Sequence, residues 1–407
     1  MSTSTEARIV RGTPAFRRTN LAMFAAGFST FALVYCVQPL MPELARTFRV
    51  SAATSALALS VTTGVLAAAL LVVGALAESW GRKPIMAGAL MAAALLTLLT
   101  AVVPSWHALL ALRAVEGLAF AGLPALAMAY LGEEIDPGSI GLAMGLYIGG
   151  SALGGMSGRL LTSALADVAT WREAVAAVGV LGVVAAIVFA RSLPPSRHFV
   201  ARPAVLRSML AAYGDHLRDA RLVRLFAEAF LLMGSFVTSY NYLAFRLLAP
   251  PYALRQSAVG AIFLVYLVGI GSSTWVGAMA GRLGRPAALR SSIALMLGGV
   301  ALTAARPLAA VIAGVVVLTF GFFGAHSTAS SWVGLQARGA KAQASSLYLF
   351  FYYAGASIAG WVGGLCWSTW GWTGVAAFVG ALLCLALGTA FDLRGSGAEA
   401  AALVGRR

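Results

Sequence analysis

Arg113 and Glu116 stand three residues apart in Leu112-Arg-Ala-Val-Glu-Gly117, inside a long apolar run. On a helix that spacing puts both side chains on one face, where each can offset the other's charge. A charged side chain at the centre of a bilayer costs a few kcal/mol even on the mildest scales. A pair kept in such a place therefore has a use. One reading is proton coupling: Glu116 takes up and releases a proton, and Arg113 tunes that equilibrium or holds a substrate. The other is a structural ion pair that ties helices together. The residues alone leave both open.

Few other ionisable groups fall inside apolar runs. Glu228 lies near the start of one, close to Arg221 and Arg224, and reads as a solvated carboxylate at a helix end, paired with arginine. His326 could relay protons, because a free imidazole titrates near neutrality; a satisfied bundle histidine is the alternative. Arg159 falls nineteen residues beyond Ile140. That places it at the end of its run, where it can snorkel to the interface and has no role. Cys36, Cys366 and Cys384 all sit in apolar runs without metal-ligand spacing and read as core packing. No metal site and no bound cofactor are expected.

The elements that must position these groups are membrane helices. The chain has 407 residues, 60% hydrophobic and only 11% charged, with a mean hydropathy of +0.86. Soluble domains carry about 25% charged residues. Crossing the hydrocarbon takes about 20 apolar residues, and twelve runs qualify: 20–40, 54–77, 84–103, 107–131, 140–161, 174–193, 226–247, 259–279, 287–305, 308–333, 345–366 and 373–391. The first run is too long for a signal-peptide core. Turn residues punctuate the gaps, as in Pro104-Ser105, Asp136-Pro137-Gly138 and Arg306-Pro307. The polar, basic stretch from Arg191 to Arg224 is the exception in length and divides the runs six and six. The expected organisation is all-α: a cytoplasmic N-terminus at 1–19, a six-helix bundle at 20–193, a linker at 194–221, a second bundle at 222–391 and a tail at 392–407.

The net charge of +15 is a topology signal. With the N-terminus inside, most Lys and Arg residues fall in cytoplasmic segments and only Arg46, Arg49, Arg172, Arg246, Arg255 and Arg306 fall outside. Both termini are then cytoplasmic, and the basic charge meets anionic lipid, not nucleic acid.

The halves repeat. Gly74-Ala-Leu-Ala-Glu78-Ser79-Trp-Gly81-Arg82-Lys83-Pro84 after the second run matches Gly277-Ala-Met-Ala-Gly281-Arg282-Leu-Gly284-Arg285-Pro286 after the eighth, 203 residues later. Gly150 matches Gly355 and Tyr35 matches Tyr240, each 205 residues on. Two parallel six-helix repeats are the signature of one transporter architecture, with its site near the midplane between the halves.

On these motifs the chain resembles the major facilitator superfamily. Its loop hallmark, Gly-x-Leu-Ala-Asp-Arg-x-Gly-Arg-Lys, is met at Gly74, Leu76, Ala77, Gly81, Arg82 and Lys83; Glu78 replaces the acid and Ser79 stands where Arg is usual. Stretches such as Tyr130-Leu-Gly-Glu-Glu-Ile-Asp-Pro137, Ala325-His-Ser-Thr-Ala-Ser-Ser-Trp332 and Gln343-Ala-Ser-Ser-Leu-Tyr-Leu-Phe350 are similar to the YnfM-type, or acriflavine-sensitivity, group of inner-membrane transporters. The resemblance spans roughly residues 20–390. It implies a bacterial inner-membrane transporter, monomeric and driven by the proton gradient, with planar aromatic cations among its cargoes. It also implies that Gly74, Glu78, Gly81, Arg82 and Lys83 form a cytoplasmic latch meeting the eleventh helix at Ser345-Ser346; a plain basic turn is the alternative. The fifth run resembles the antiporter motif Gly-Pro-x-x-Gly-Gly, with Ser151 in place of Pro. The cavity-lining helices of that architecture would present Tyr35, Gln38, Tyr147, Tyr240, Asn241, Tyr266, His326 and Tyr352. Aromatic rings there can hold a cation or serve as interfacial belt residues, a role that also fits Trp332, Trp367, Trp370 and Trp372.

Three function classes follow. The first is a proton-coupled exporter of small organic molecules; the second is a proton-coupled importer of a sugar or organic acid. A sensor without flux is remote, because no soluble signalling domain is attached. The motifs of intramembrane or soluble hydrolases and the Walker loop are missing from the sequence, so no enzyme is expected.

Overall fold

A computed structural model describes residues 8–199 and 206–393, with the backbone alone for residues 74–80, 125 and 206. Twelve apolar crossings account for most of it. Spans 1 to 6 are Pro14–Tyr35, Ala52–Trp80, Arg82–Thr100, Trp106–Ala121 continued by Pro124–Glu134, Ile140–Leu165 and Trp171–Ser192. Spans 7 to 10 are Ala220–Leu248, Gln256–Leu283, Arg285–Thr303 and Leu308–Gln336. Lys341–Asp392 is a continuous helical assignment broken at Gly371, whose φ of 59° and ψ of −145° fold it into spans 11 and 12. Nothing crowds a Cβ at Gly371; its backbone angle is what calls for glycine. We call the face holding the start of span 1 and the end of span 12 the inner face, following the arginine distribution.

The helix starts are written locally. Thr13 caps span 1 ahead of Pro14, Ser51 caps span 2, and Thr170 with Glu173 forms a capping box on span 6. Asp219 accepts from the Arg221 and Leu222 amides to open span 7.

The internal repeat holds in three dimensions. Span 1 packs on span 5 and span 3 on span 6; six helices later, span 7 packs on span 11 and span 9 on span 12. The turns between spans 2 and 3 and between 8 and 9 are superposable. Gly81 has φ 84° and ψ 151°, and Gly284 has φ 85° and ψ 148°. Between apolar helices in lipid there is little hydrophobic drive, so close backbone approach does the holding. A Cβ at Gly154 would overlap the Phe28 carbonyl, and one at Gly355 the Phe230 carbonyl. These are the same seam in the two halves.

Large apolar side chains such as Leu21, Val180, Leu181, Val184, Leu267 and Leu385 stay exposed on the outward helix faces, as a surface against lipid tails requires. The halves meet along two lines, span 2 against span 11 and span 5 against span 8.

Two expectations change here. The linker is not simply a polar connection: Leu206–Arg218 is an amphipathic helix. Its Tyr213 hydroxyl donates to the Leu71 carbonyl of span 2, and buried His216 meets the Ala340 carbonyl ahead of span 11. It straps the two halves together at the inner face. The cysteines also differ. Cys36 is buried, Cys366 is half-buried, and Cys384 is exposed on span 12. A lipid-facing position satisfies an apolar thiol as well as a core does.

Candidate functional site

Arg113 and Glu116 are in direct contact and both fully buried. Arg113 donates from Nε to the Ala58 carbonyl of span 2 at 2.9 Å and from Nη2 to the Val34 carbonyl of span 1 at 2.7 Å, with a longer bond to Leu33. Glu116 accepts from Thr97 of span 3 at 2.9 Å. The pair joins all four of the first spans. Gly117 beside it lets span 4 press against the Thr62 carbonyl.

Five of the eight cavity residues expected from the sequence gather around a side chain that the sequence had left at the membrane edge. Arg159 is only 2% exposed. It does not snorkel, because the outer ends of spans 1 and 8 fold over it. Its Nε donates to Gln38 Oε1 at 2.6 Å and its Nη1 to the Gly155 carbonyl at 2.7 Å. Its guanidinium lies 4.0 Å from the centre of the Tyr35 ring, and 5.0 Å from both Phe263 and Tyr266 of the opposite half. Gln38 passes the contact across the halves, donating from Nε2 to Asn241 Oδ1 at 2.7 Å. Tyr240 completes the wall, 5.2 Å from Phe263 and 5.5 Å from Tyr266 between ring centres, with its hydroxyl bonded to Thr319. Tyr35, Gln38, Tyr240, Asn241 and Tyr266 thus form one cluster, and Arg159 at its centre is the candidate residue that sequence reasoning left without a role. The available signal was an intramembrane arginine without an acid on its own helix face.

His326 and Tyr352 lie further toward the inner face. His326 Nδ1 is 2.9 Å from the Tyr348 hydroxyl, and its ring sits 4.7 Å from Tyr352 and stacks at 5.8 Å on Phe322. Phe322 in turn stacks on Phe236, joining this group to Tyr240 and Tyr266. His326 and Tyr352 are half-buried, whereas Tyr240 and Arg159 are enclosed. Tyr147 is buried on span 5, about three turns inward of Arg159.

Glu228 corrects another expectation. It is fully buried and accepts from Thr389 of span 12, while its Oε2 has no hydrogen-bond partner. Arg224 turns to Asp392 instead, at 3.8 Å. Packing of span 12 over span 7 is what takes Glu228 out of solvent. Trp332 is also buried, so it is no belt residue; Trp370, at 67% exposed, fits that role.

In the loop motif, Arg82 pairs with Glu133 at 2.8 Å and Lys83 donates to the Leu193 carbonyl. Both are held within their own half. The glycine of the turn, Gly81, has the positive φ that a tight reversal needs. Gly74 lies within the span 2 helix, and the side chain of Glu78 lies outside the described residues.

At the outer face the halves are latched. Arg255 supplies no side-chain cap to the start of span 8; Asp167 of the other half does so instead. It accepts from the Gln256 amide at 3.0 Å and the Ser257 amide at 3.1 Å. Gln256 Nε2 donates to the Pro39 carbonyl, and Gly260 packs tightly on Ser163. Hydrogen bonds from Ser257, then its amide and that of Gln256, hold the Asp167 carboxyl below its usual range. A lowered value means that the latch is complete above about pH 4 and is lost as pH falls through the shifted value. Spin labels at Val168→Cys and Arg306→Cys, with native cysteines replaced, should therefore report the same outer separation at pH 7 and pH 5. Asp167→Ala should widen it, moving the closed-to-open ratio about fivefold for a cap worth about 1 kcal/mol. An unchanged distribution would show that Asp167 is no latch.

Residues 23–360 match the sequence profile of the Major Facilitator Superfamily. The chain is 50% identical over 379 residues to the uncharacterized MFS-type transporter YybF of Bacillus subtilis, covering 93% of this chain and 94% of that protein. It is 47% identical over 381 residues to the inner membrane transport protein YnfM of Escherichia coli, covering 93% and 91%. Its fold superposes with a TM-score of 0.78, at 14% identity, on a bacterial homolog of the human lysosomal transporter Spinster in an inward-facing, occupied conformation, covering 94% of this chain and 97% of that one. With a matching profile across most of its length, relatives near half identity and two interlocking six-helix repeats, the chain belongs to the Major Facilitator Superfamily and is close to its YnfM-type inner-membrane transporters.

Proposed function

We propose that the protein is a proton-coupled secondary transporter that exports small aromatic organic molecules by alternating access. It would act as a monomer in the inner membrane, with both chain ends in the cytoplasm. One observation carries this reading: the aromatic cluster around Arg159 lies between the two halves, latched shut on its outer side, with half-buried His326 and Tyr352 on its inner side. Such an arrangement loads from the inner face and releases when the Asp167 latch opens.

Two acids are candidates for the coupling proton. Glu116 with Arg113 is the one that the sequence suggests. Glu228 is favoured by its unpartnered oxygen. An ionised carboxylate costs far more to bury alone than a protonated one, so gain or loss of a proton changes the energy of burial most at such a site. Tyr348 lies within electrostatic range of Glu228 and bonds to His326, which gives a path toward the cluster.

Purified protein in liposomes provides the test. An imposed pH gradient, acid on the side facing the outer loops, should drive accumulation of an aromatic substrate on that side, and a protonophore should abolish it. Accumulation that follows the gradient in the opposite sense would favour an importer, and gradient-independent flux would remove proton coupling.

A further inference from the structure

We infer that Arg159 is an anion-binding centre and that the cargo is a small aromatic acid, with its carboxylate on the free end of the Arg159 fork and its ring among Tyr35, Phe263 and Tyr266. This rests on the transporter reading above and names its substrate class.

Arg159 is a buried cation without a counter-charge. No carboxylate reaches it among the described residues, whose ion pairs lie elsewhere. Buried charges are ordinarily paired, because an uncompensated one is strongly destabilising. Arg113 makes the contrast: Glu116 neutralises its charge, and Glu116 with three backbone carbonyls takes four of its five N–H donors. Arg159 uses Nε on Gln38 and one Nη1 hydrogen on Gly155, and its Nη2 has no partner among the described residues. A guanidinium has five N–H donors in a planar fork. The end of the fork is left open, which is the edge that takes a carboxylate through two parallel hydrogen bonds.

The neighbours fit the rest of such a ligand. Asn241, tied to Arg159 through Gln38, is buried with its Nδ2 donor unpartnered. The flat rings of Tyr35, Phe263 and Tyr266 offer walls for an aromatic ring in offset or edge-on contact. An organic cation would meet a like charge here, with no carboxylate in the cluster to offset it. The site also spans the moving joint. Arg159, Tyr35 and Gln38 belong to the first half, whereas Phe263, Tyr266 and Asn241 belong to the second. Separation of the outer ends takes the second set away from the ligand, which releases it outward.

The test is direct binding of three probes of similar size to the purified, full-length protein: 2-naphthoate, its neutral amide 2-naphthamide, and the cation acriflavine. Wild type should bind naphthoate at least about tenfold more tightly than the amide, the value of a hydrogen bond to a charged group. Arg159→Gln should erase that preference by weakening the acid alone, and Arg159→Lys should keep part of it. Equal binding of acid and amide, tighter binding of acriflavine, absence of naphthoate binding, or a preference that survives Arg159→Gln overturns the assignment. Should Arg159→Gln fail to fold, the wild-type acid-to-amide ratio decides alone. Liposome flux separates the two readings. Naphthoate that binds through Arg159 yet is not moved by a proton gradient sinks the proton-coupled export reading and spares the site. Gradient-driven acriflavine that naphthoate does not compete with does the reverse.

Discussion

Arg113→Leu is expected to destabilise the protein by about 3–5 kcal/mol, the cost of breaking a buried pair from one side. The substitution leaves Glu116 fully enclosed with only threonine hydroxyls, Thr97 and Thr100, beside it as donors. It also frees the carbonyls of Ala58 and Val34, which Arg113 ties to span 4. The reverse change is milder. In Glu116→Gln the amide can still accept from Thr97, and Arg113 keeps its carbonyl partners on spans 1 and 2. The double variant Arg113→Leu/Glu116→Leu removes both charges and should recover most of the loss, so the two substitutions are strongly non-additive. Thermal unfolding in detergent, followed by loss of the monodisperse chromatographic peak, reads the order: wild type highest, Glu116→Gln and the double variant between, Arg113→Leu lowest. If Arg113→Leu unfolds at the wild-type temperature, the pair is not a staple of the first bundle, and its role lies in transport alone.

The spans were readable because a membrane helix announces itself by length and composition, and the gaps by Pro, Gly and Asp. The repeat was readable for a similar reason: a glycine that must take a positive φ recurs where the turn recurs, at Gly81 and Gly284. Depth and facing were not readable. Arg159 lies nineteen residues beyond Ile140, which by helical rise is near the edge of the hydrocarbon. What buries it is chain from elsewhere: Gln38 from beyond span 1, and Phe263 and Tyr266 from the 3₁₀ stretch and helix after it in span 8. Glu228 was misplaced in the same way. Its sequence neighbours are arginines, but its spatial partner Thr389 is 161 residues away. Tyr35 with Tyr240 and Gln38 with Asn241 could be brought together on paper because those polar and aromatic side chains recur at equivalent depths in both halves. The charge at their centre has no counterpart in the second half, so the repeat could not point to it.

Proton coupling should depend on Glu228 more than on Glu116. Neutralising a coupling acid fixes it in one state, so a carrier without it exchanges substrate across the membrane but ignores the gradient. Glu228→Gln keeps the size of the side chain and an acceptor for Thr389, and the wild-type Oε2 has no partner to lose. The fold should therefore survive, with gradient-driven accumulation reduced to the level reached by exchange alone. Glu116→Gln changes a site already balanced by Arg113, and accumulation should persist, slowed only as far as the bundle is loosened. The two activities are read in one liposome preparation: uptake of labelled substrate under an imposed pH gradient, and exchange at equal pH with substrate on both sides. Loss of accumulation with intact exchange in Glu228→Gln assigns the proton there. The same pattern in Glu116→Gln, with Glu228→Gln behaving as wild type, assigns it to the Arg113–Glu116 pair and makes that pair both staple and coupling site. The two outcomes also differ in geometry. A proton on Glu228 lies within electrostatic range of Tyr348, whose hydroxyl bonds to His326, and its release can answer through them to what occupies Arg159. A proton on Glu116 lies within the first bundle, where it can act only by shifting spans 1 and 2 against the second half.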